Sequence, residues 1–449
     1  MSDRHHRPAS PSIASSSRRI VGSTAGAAAG GPSDSLPIEF LEAVAVDMAI
    51  KVATENGPLA AGRALVDMFL VCSYWRNVSA SENLWEILCN CLWDSRERQI
   101  EISWRAKFVR FHATLSNFRQ GKARYLTLQM EEDDDEDFSV IRRCTCLALS
   151  NEFLAAGFYD GAVRIFDTCT GSCICTLRHE QDYVFGLYSS AIAGLCLDNK
   201  EVVYASVRGS LLTGDIGTKK CTSVYSGNVI EDGALISFAG SKTWWVGLYA
   251  GSPGQSIRIW SSETRELLYR GGNLLDDDAM LGWRTFIELA DHFGKVRIVN
   301  DTLLLAASRT KLTIIDLETH GTIVNVEWHQ QITIGALDVA CNRLLTVAMY
   351  EAAQILRIPA LDELCKLEHV LAADDYTKLI GTMNSRHALL TSDPGFLNVW
   401  DALTGTHLYA FREQVKGIHD LVANDMFVAA CSRDSTVHFW DFTAPRSPH

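Results

Sequence analysis

One pattern recurs through the second part of the chain and limits the folds open to it. Compare LAAGFYDGAVRIFDTCTGSCICTL, WVGLYAGSPGQSIRIWSSETRELLYRG, LLAASRTKLTIIDLETHGTIVNV, LLTSDPGFLNVWDALTGTHLYAF and VAACSRDSTVHFWDF. Each reads as an apolar strand, a turn of small residues, a strand ending in a large apolar residue plus Asp, a turn and another strand. Two weaker copies are VYASVRGSLLTGDIGTKKCTSVY and LLTVAMYEAAQILRIPALDELCKL. The corresponding strand ends fall at Asp167, Asp215, Ser261, Asp316, Pro359, Asp401 and Asp441, at intervals of 40 to 55 residues. A unit of this size cannot bury its own apolar face alone, whereas copies stacked around an axis can. Seven copies predict a seven-bladed β-propeller over residues 124–445.

The period matches the four-stranded blades of WD-type propellers, although only Trp400–Asp401 and Trp440–Asp441 carry the full dipeptide and the usual Gly-His pair is missing. A many-stranded sandwich is the alternative, but it leaves the repeat without a cause. The last copy stops after its third strand, VHFWDF, which would leave an open edge with unpaired backbone groups. RYLTLQM (Arg124–Met130) has a strand pattern and the position to supply the missing fourth strand. The ring is therefore expected to be latched by its own upstream strand.

Ahead of the repeats the apolar period is helical rather than alternating. Phe40, Leu41, Val44 and Met48 recur at three- and four-residue steps, as do Leu65, Met68, Phe69 and Cys72. Gly57 and Pro58 break the pattern, NLWEILCNCLW resumes it, and SWRAKFVRFHATLSNF adds a further amphipathic piece within a helical linker at 94–123. The acidic run Glu131–Asp137 reads as a solvated loop between the two parts. Residues 1–35 hold few large apolar side chains and are expected to be a disordered tail. Its Arg4, Arg7, Arg18 and Arg19 also fit a weak import signal or a transit peptide.

Enzyme signatures are absent from the sequence: no P-loop, no G-x-G-x-x-G after a strand, no H-E-x-x-H and no G-x-S-x-G. His179, His369 and His419 read as turn residues near strand ends, and Asp276–Asp278 as a solvated loop, since consecutive carboxylates point apart. The thirteen cysteines include the C-x-C pairs 89/91, 144/146 and 173/175 but no C-x-x-C, so neither a zinc site nor a disulfide framework is expected. No metal, cofactor or catalytic residue is expected. A formal charge of −13 disfavours direct DNA binding. No apolar run approaches the about 18–20 residues of a membrane span, and no secretory h-region opens the chain. The expected compartment is cytosol or nucleus.

The helical segment carries the sharper signal. LPIEFLEAV, then LVCSYWRNVS, then NLWEIL follow the F-box pattern in order, which makes residues 36–93 an expected F-box, with a longer gap between the first two motifs than is usual. On a helical reading of LVCSYWRNVS, Val71, Cys72 and Trp75 share one face and pack the bundle. Leu36, Pro37, Phe40 and Leu41 then form an apolar lip for a partner helix. Arg76, Leu84 and Trp85 complete the predicted adaptor-binding set, with Trp75 and Trp85 reading best as core.

Nearly everything after the tail resembles the plant STERILE APETALA family of F-box/WD-repeat proteins, above all FLEAVAVDMAIKVA, WRAKFVRFHATLSNFR and DGALISFAGSKTWWVGLYAG with its Trp244–Trp245 pair. The resemblance implies a nuclear, non-catalytic substrate receptor of a Skp–cullin–F-box ubiquitin ligase. Its implied partners are a Skp-type adaptor, through it a cullin, and PEAPOD-type repressors with KIX-domain proteins as targets. The implied roles are in organ size and flower development. A second reading is a transcriptional regulator acting as a scaffold or by DNA contact. For the target, the residues suggest loops joining second and third strands, with Arg208, Arg309 and Arg433. The long connection 273–292 adds Leu281, Trp283 and Phe286, which have no evident place in a strand.

Overall fold

The computed structural model describes residues 37–93, 103–128, 143–178, 187–252, 254–272, 294–307, 311–319, 321–328, 334–348, 353–368, 370, 380–392 and 395–443. The tail, Leu36, the acidic run, His179, Asp276–Asp278 and His369 lie outside them.

Helices come first. α1 (Ile38–Asn56) ends at Gly57, whose φ of +84° is open to glycine, and α2 (Pro58–Phe69) begins at once with Pro58 at its first position. α3 (Ser73–Val78), α4 (Glu82–Trp93) and α5 (Trp104–Arg119) follow, the last capped by the Ser103 hydroxyl accepting from Ala106 N. Leu41, Ala45 and Ala49 of α1 meet Ala61, Leu65 and Phe69 of α2 in one core with Leu84, Trp85, Leu88 and Phe108. Small residues let the helices approach. At Gly62 an added Cβ would come 2.4 Å from the His112 ring of α5.

The rest is seven separate four-stranded antiparallel sheets, a seven-bladed β-propeller in which the sandwich alternative has no place. Both weak copies form blades, at Ile192–Tyr225 and Ile334–Lys366, like the five strong ones. The recurrent Asp has a local reason. At the end of five of the seven third strands its carboxylate accepts from backbone amides of the following turn: Cys169 and Thr170 at Asp167, Thr218 at Asp215, Glu318 and Thr319 at Asp316, Leu403 and Thr404 at Asp401, Thr443 at Asp441. Such Asx turns set the chain reversal without a partner strand. Ser261 does the same for Thr264. Blade five departs from the expected boundary: its third strand stops at Arg357, before Pro359, and its turn has Leu361 at φ +60°.

Side chains tie neighbouring blades around the channel. Val296 N donates to Ser237 Oγ, and Leu147 N to Asp420 (2.8 Å). The Arg297 Nε–Asp338 pair is 2.8 Å long, and Asp338 also accepts from the Thr382 hydroxyl at 2.6 Å and Met383 N at 3.1 Å. Burial works against the charge on Asp338, but Arg297 and Thr382 outweigh it and hold the carboxyl below its ordinary range. A second belt runs through the first-to-second-strand turns, where Asn300 meets Asn342, Asn384 reaches Asn424 O and Asn424 reaches Ser150 O.

Asp232 anchors an ion cluster on the third blade, with one buried and one exposed arginine. Asp232 binds fully buried Arg258 at 2.9 Å and Arg270 at 2.8 Å, and Arg258 lies 4.1 Å from the Tyr249 ring centre. Gly233 has φ +78°, and a Cβ there would sit 2.1 Å from Ala250 O. Trp245 is buried between blades, while Trp244 Nε1 donates to Asp301 O of the next blade.

Closure is as the repeat count requires. β1 (Arg124–Leu128) pairs antiparallel with Val437–Asp441, from Arg124 opposite Asp441 to Leu128 opposite Val437. The Tyr125 hydroxyl meets His438 Nδ1 at 2.7 Å, Arg124 pairs with Asp441 at 3.3 Å, and Arg124 also donates to Cys169 O of the first blade. Without β1 the last blade has an open edge. Two truncations isolate its contribution: a chain starting at residue 123 keeps β1, and one starting at 138 does not. The first is expected to elute as a monomer on size exclusion and the second to aggregate; equal behaviour would remove the latch.

Candidate functional site

Two surfaces are left open. On the helical module, residues four apart face the core, so the apolar side chains beside them face outward. Ile38, Phe40 and Val44 of α1, Val66 of α2, Leu70 and Val71 of the following turn, and Tyr74 of α3 are all exposed, Phe40 by 53% and Val71 by 71%. The one-residue reversal at Gly57 folds α2 back along α1. At 1.5 Å per residue this sets the end of α2 level with the first half of α1. These side chains thus gather at one end of the hairpin. Large exposed apolar patches are in general where proteins meet partners.

The predicted adaptor residues divide on this surface. Phe40 and Pro37 are exposed, as are Val71, Cys72 and Arg76. Leu41, at 7% exposure, belongs to the core rather than to a lip, and so do Leu84 and Trp85. Trp85 packs edge-on against Phe69 and tilted against Phe108, and donates Nε1 to Ser79 O at 2.8 Å. The shared helical face expected for Val71, Cys72 and Trp75 does not form. α2 stops at Phe69, Cys72 is the extended residue before α3, and only Trp75 packs against the bundle. Ile38, Val44, Val66, Leu70 and Tyr74 join the patch unforeseen; their signal was a second apolar position beside each core position.

The module is bolted to the propeller face that carries the first-to-second-strand turns. Phe118 of α5, fully buried, lies between the His387 ring (4.5 Å) and the Phe442 ring (4.1 Å). Asn117 Nδ2 donates to Phe442 O at 2.9 Å, and Arg386 donates to Leu92 O at 3.0 Å. Burial, helped by Arg386 and Arg119, pushes the His387 imidazole down to about 4.

The opposite face stays uncovered by the helices and opens on a central channel of about 1180 Å³, lined among others by Thr145, Ser237, Arg297, Asp338, Thr382 and Asp420. His419, expected in a turn, lies instead on the inner strand Ile418–Ala423 and lines this channel. Arg208 and Arg433 stand on this face, between second and third strands as expected, in different blades. Arg208 Nε is held by Ser210 Oγ at 2.8 Å, whereas Arg433 is exposed. Asp434, the acid next to Arg433, accepts instead from Ser432 and Thr436. Arg309, Leu281, Trp283 and Phe286 lie outside the described residues.

Over 422 residues, 92% of this chain and 93% of the relative, the sequence is 34% identical to the transcriptional regulator STERILE APETALA of Arabidopsis thaliana. No family model matches the chain. The crystal structure of the computationally designed Ika8 protein superposes with a TM-score of 0.46 at 18% identity, over 67% of this chain and 96% of that one. That likeness is too distant to argue from.

The junction makes a pH-dependent prediction. An unfolded histidine takes its proton near pH 6.5, the folded His387 only at about 4. Between those values the unfolded chain binds the extra proton, so stability falls as pH drops through the window, by up to about 3 kcal/mol. Denaturation midpoints measured from about pH 7 to about pH 4.5 should fall more steeply for the wild type than for His387→Phe, which keeps the stack on Phe118. Parallel slopes would refute the assignment.

Proposed function

The chain belongs to the STERILE APETALA family, and from that premise we propose that it is a nuclear, non-catalytic substrate receptor of a Skp–cullin–F-box ubiquitin ligase. In this reading the helices are an F-box that binds a Skp-type adaptor and, through it, a cullin. The blades form a WD-type propeller that presents PEAPOD-type repressors and KIX-domain proteins for ubiquitination, with organ size and flower development as the outcome.

The observation that carries the proposal is the pairing of the two surfaces. An exposed apolar patch around Phe40, Val66, Leu70 and Val71 sits on a small bundle that Phe118 and Asn117 hold against one propeller face. Among the described residues, α1 to α5 leave the other face open. A receptor needs this separation, because its work is positional. Holding a target lysine near a charged conjugating enzyme turns a bimolecular encounter into a local one, and no proton transfer by the receptor is required. A rigid junction serves that purpose better than a tether, since a fixed span leaves less conformational freedom to restrain.

A second reading, a transcriptional regulator acting as a scaffold or by DNA contact, has in its favour the name of the Arabidopsis relative. The charge of −13 weighs against direct DNA contact. In that case a DNA pull-down at physiological salt would recover the chain without the adaptor.

The adaptor contact is testable at positions that are exposed and so leave the bundle intact. Phe40→Glu combined with Val71→Glu should weaken co-purification of a Skp-type adaptor by about 2 kcal/mol or more. The thermal midpoint should stay within about 2 °C of wild type. Leu41→Glu is the contrasting control, expected to unfold the bundle because its side chain is core. Undiminished adaptor recovery with the exposed double variant would end the F-box reading.

A further inference from the structure

Around the last blade, acids and bases on the open face are treated differently among the described residues. The carboxylates are engaged within the fold. Glu413 accepts the Trp440 indole N–H at 3.0 Å, Asp434 accepts from the Ser432 hydroxyl and Thr436 N, and Asp160 faces Arg178 at 3.7 Å. The neighbouring cations are not. Arg412, Lys416 and Arg433 are exposed and Arg143 is half-buried, and among the described residues none of the four has a side-chain hydrogen bond or ion pair.

Backbone geometry gathers them. Arg433 N donates to Gly417 O at 3.0 Å, and Gly417, at φ +65°, leaves room for the Arg433 methylenes, which a Cβ there would meet at 2.9 Å. Lys416 directly precedes that glycine. Arg143 precedes Cys144, whose buried thiol meets that of Cys431, two residues before Arg433. Arg143, Lys416 and Arg433, none with a side-chain partner among the described residues, therefore lie around one junction, on a chain whose formal charge is −13.

We propose that Arg143, Lys416 and Arg433 form the receiving site for an acidic segment of the target protein, a run of Asp, Glu or phosphorylated side chains. The inference rests on the receptor reading and supplies the chemistry of what the receptor holds. Guanidinium groups suit carboxylate and phosphate oxygens because they donate in pairs. A single exposed ion pair contributes little, so recognition needs several at once and weakens with salt. The overall negative field disfavours a long polyanion such as DNA, while a short acidic segment meets only the local patch.

The test is fluorescence anisotropy with the full chain. The probes are a fluorescein-labelled Asp/Glu-rich peptide of about twelve residues, a phosphoserine version, an all-lysine version and a DNA duplex, at about 50 and about 300 mM salt. The acidic peptides should bind and weaken at high salt, and the lysine peptide should not bind. Whichever of the two acidic forms binds tighter identifies the source of the charge. Lys416→Glu with Arg433→Glu should reduce affinity about ten-fold or more, with the thermal midpoint and adaptor co-purification unchanged. Wild-type affinity in that variant, no peptide binding at low salt, or tighter binding of the duplex would each overturn the proposal. Peptide anisotropy is read without adaptor or cullin, so failure of the F-box reading and failure of this site are separately visible.

Discussion

Backbone pairing between Arg124–Leu128 and Val437–Asp441 joins the two ends of the propeller, and the geometry of the whole molecule follows from that join. A ring of seven sheets has no edge between blades only if the last blade is complete. The completing strand comes from upstream of the first blade, so the helical module, five residues before β1, is brought onto the ring as well. Phe118 then falls between His387 and Phe442, and Asn117 reaches Phe442 O. Closure of the ring and placement of the helices are one event in structural terms.

Blade-to-blade contacts divide the work between apolar packing and side-chain bridges. Cores such as the one around Trp245, Tyr249 and Trp260 fill the space between sheets. Asp338, Asp420 and Ser237 supply directional links around the channel. Buried ion pairs such as Arg258–Asp232 are weak evidence for net stability, because desolvation offsets much of their attraction. What they supply is a defined orientation. Asp232 fixes both Arg258 and Arg270, and thereby the connection entering the third blade.

Features set by local chemistry were legible in the sequence. The Asp at five of the seven third-strand ends announces a turn because its carboxylate bonds amides two or three residues on. Gly57–Pro58 announces the helix break for a similar reason. The missing fourth strand was readable as a deficit. Features decided by tertiary contact were not legible. Phe40 and Leu41 are adjacent apolar residues on one helix, and only the position of α2 determines which is core. The break between α2 and α3 at Leu70–Cys72 contains no glycine or proline, so it passed for continuous helix. Nothing near His387 signals that an aromatic ring about 270 residues earlier would stack on it, a contact that only the folded chain brings together.

The latch also imposes an order on biosynthesis. β1 leaves the ribosome before any complete blade exists, and its partner strand is the last of the described strands to emerge. About 300 residues separate them, so at roughly 5–20 residues per second β1 waits unpaired for roughly 15 to 60 s. Until then the nascent propeller is an arc with two open edges, and β1, five residues long and beginning with Arg124, is a short one to expose. A chain that stops before residue 437 yields that arc rather than a smaller ring. Residues 437–441 thus decide whether translation delivers a closed propeller or a substrate for chaperones and proteases.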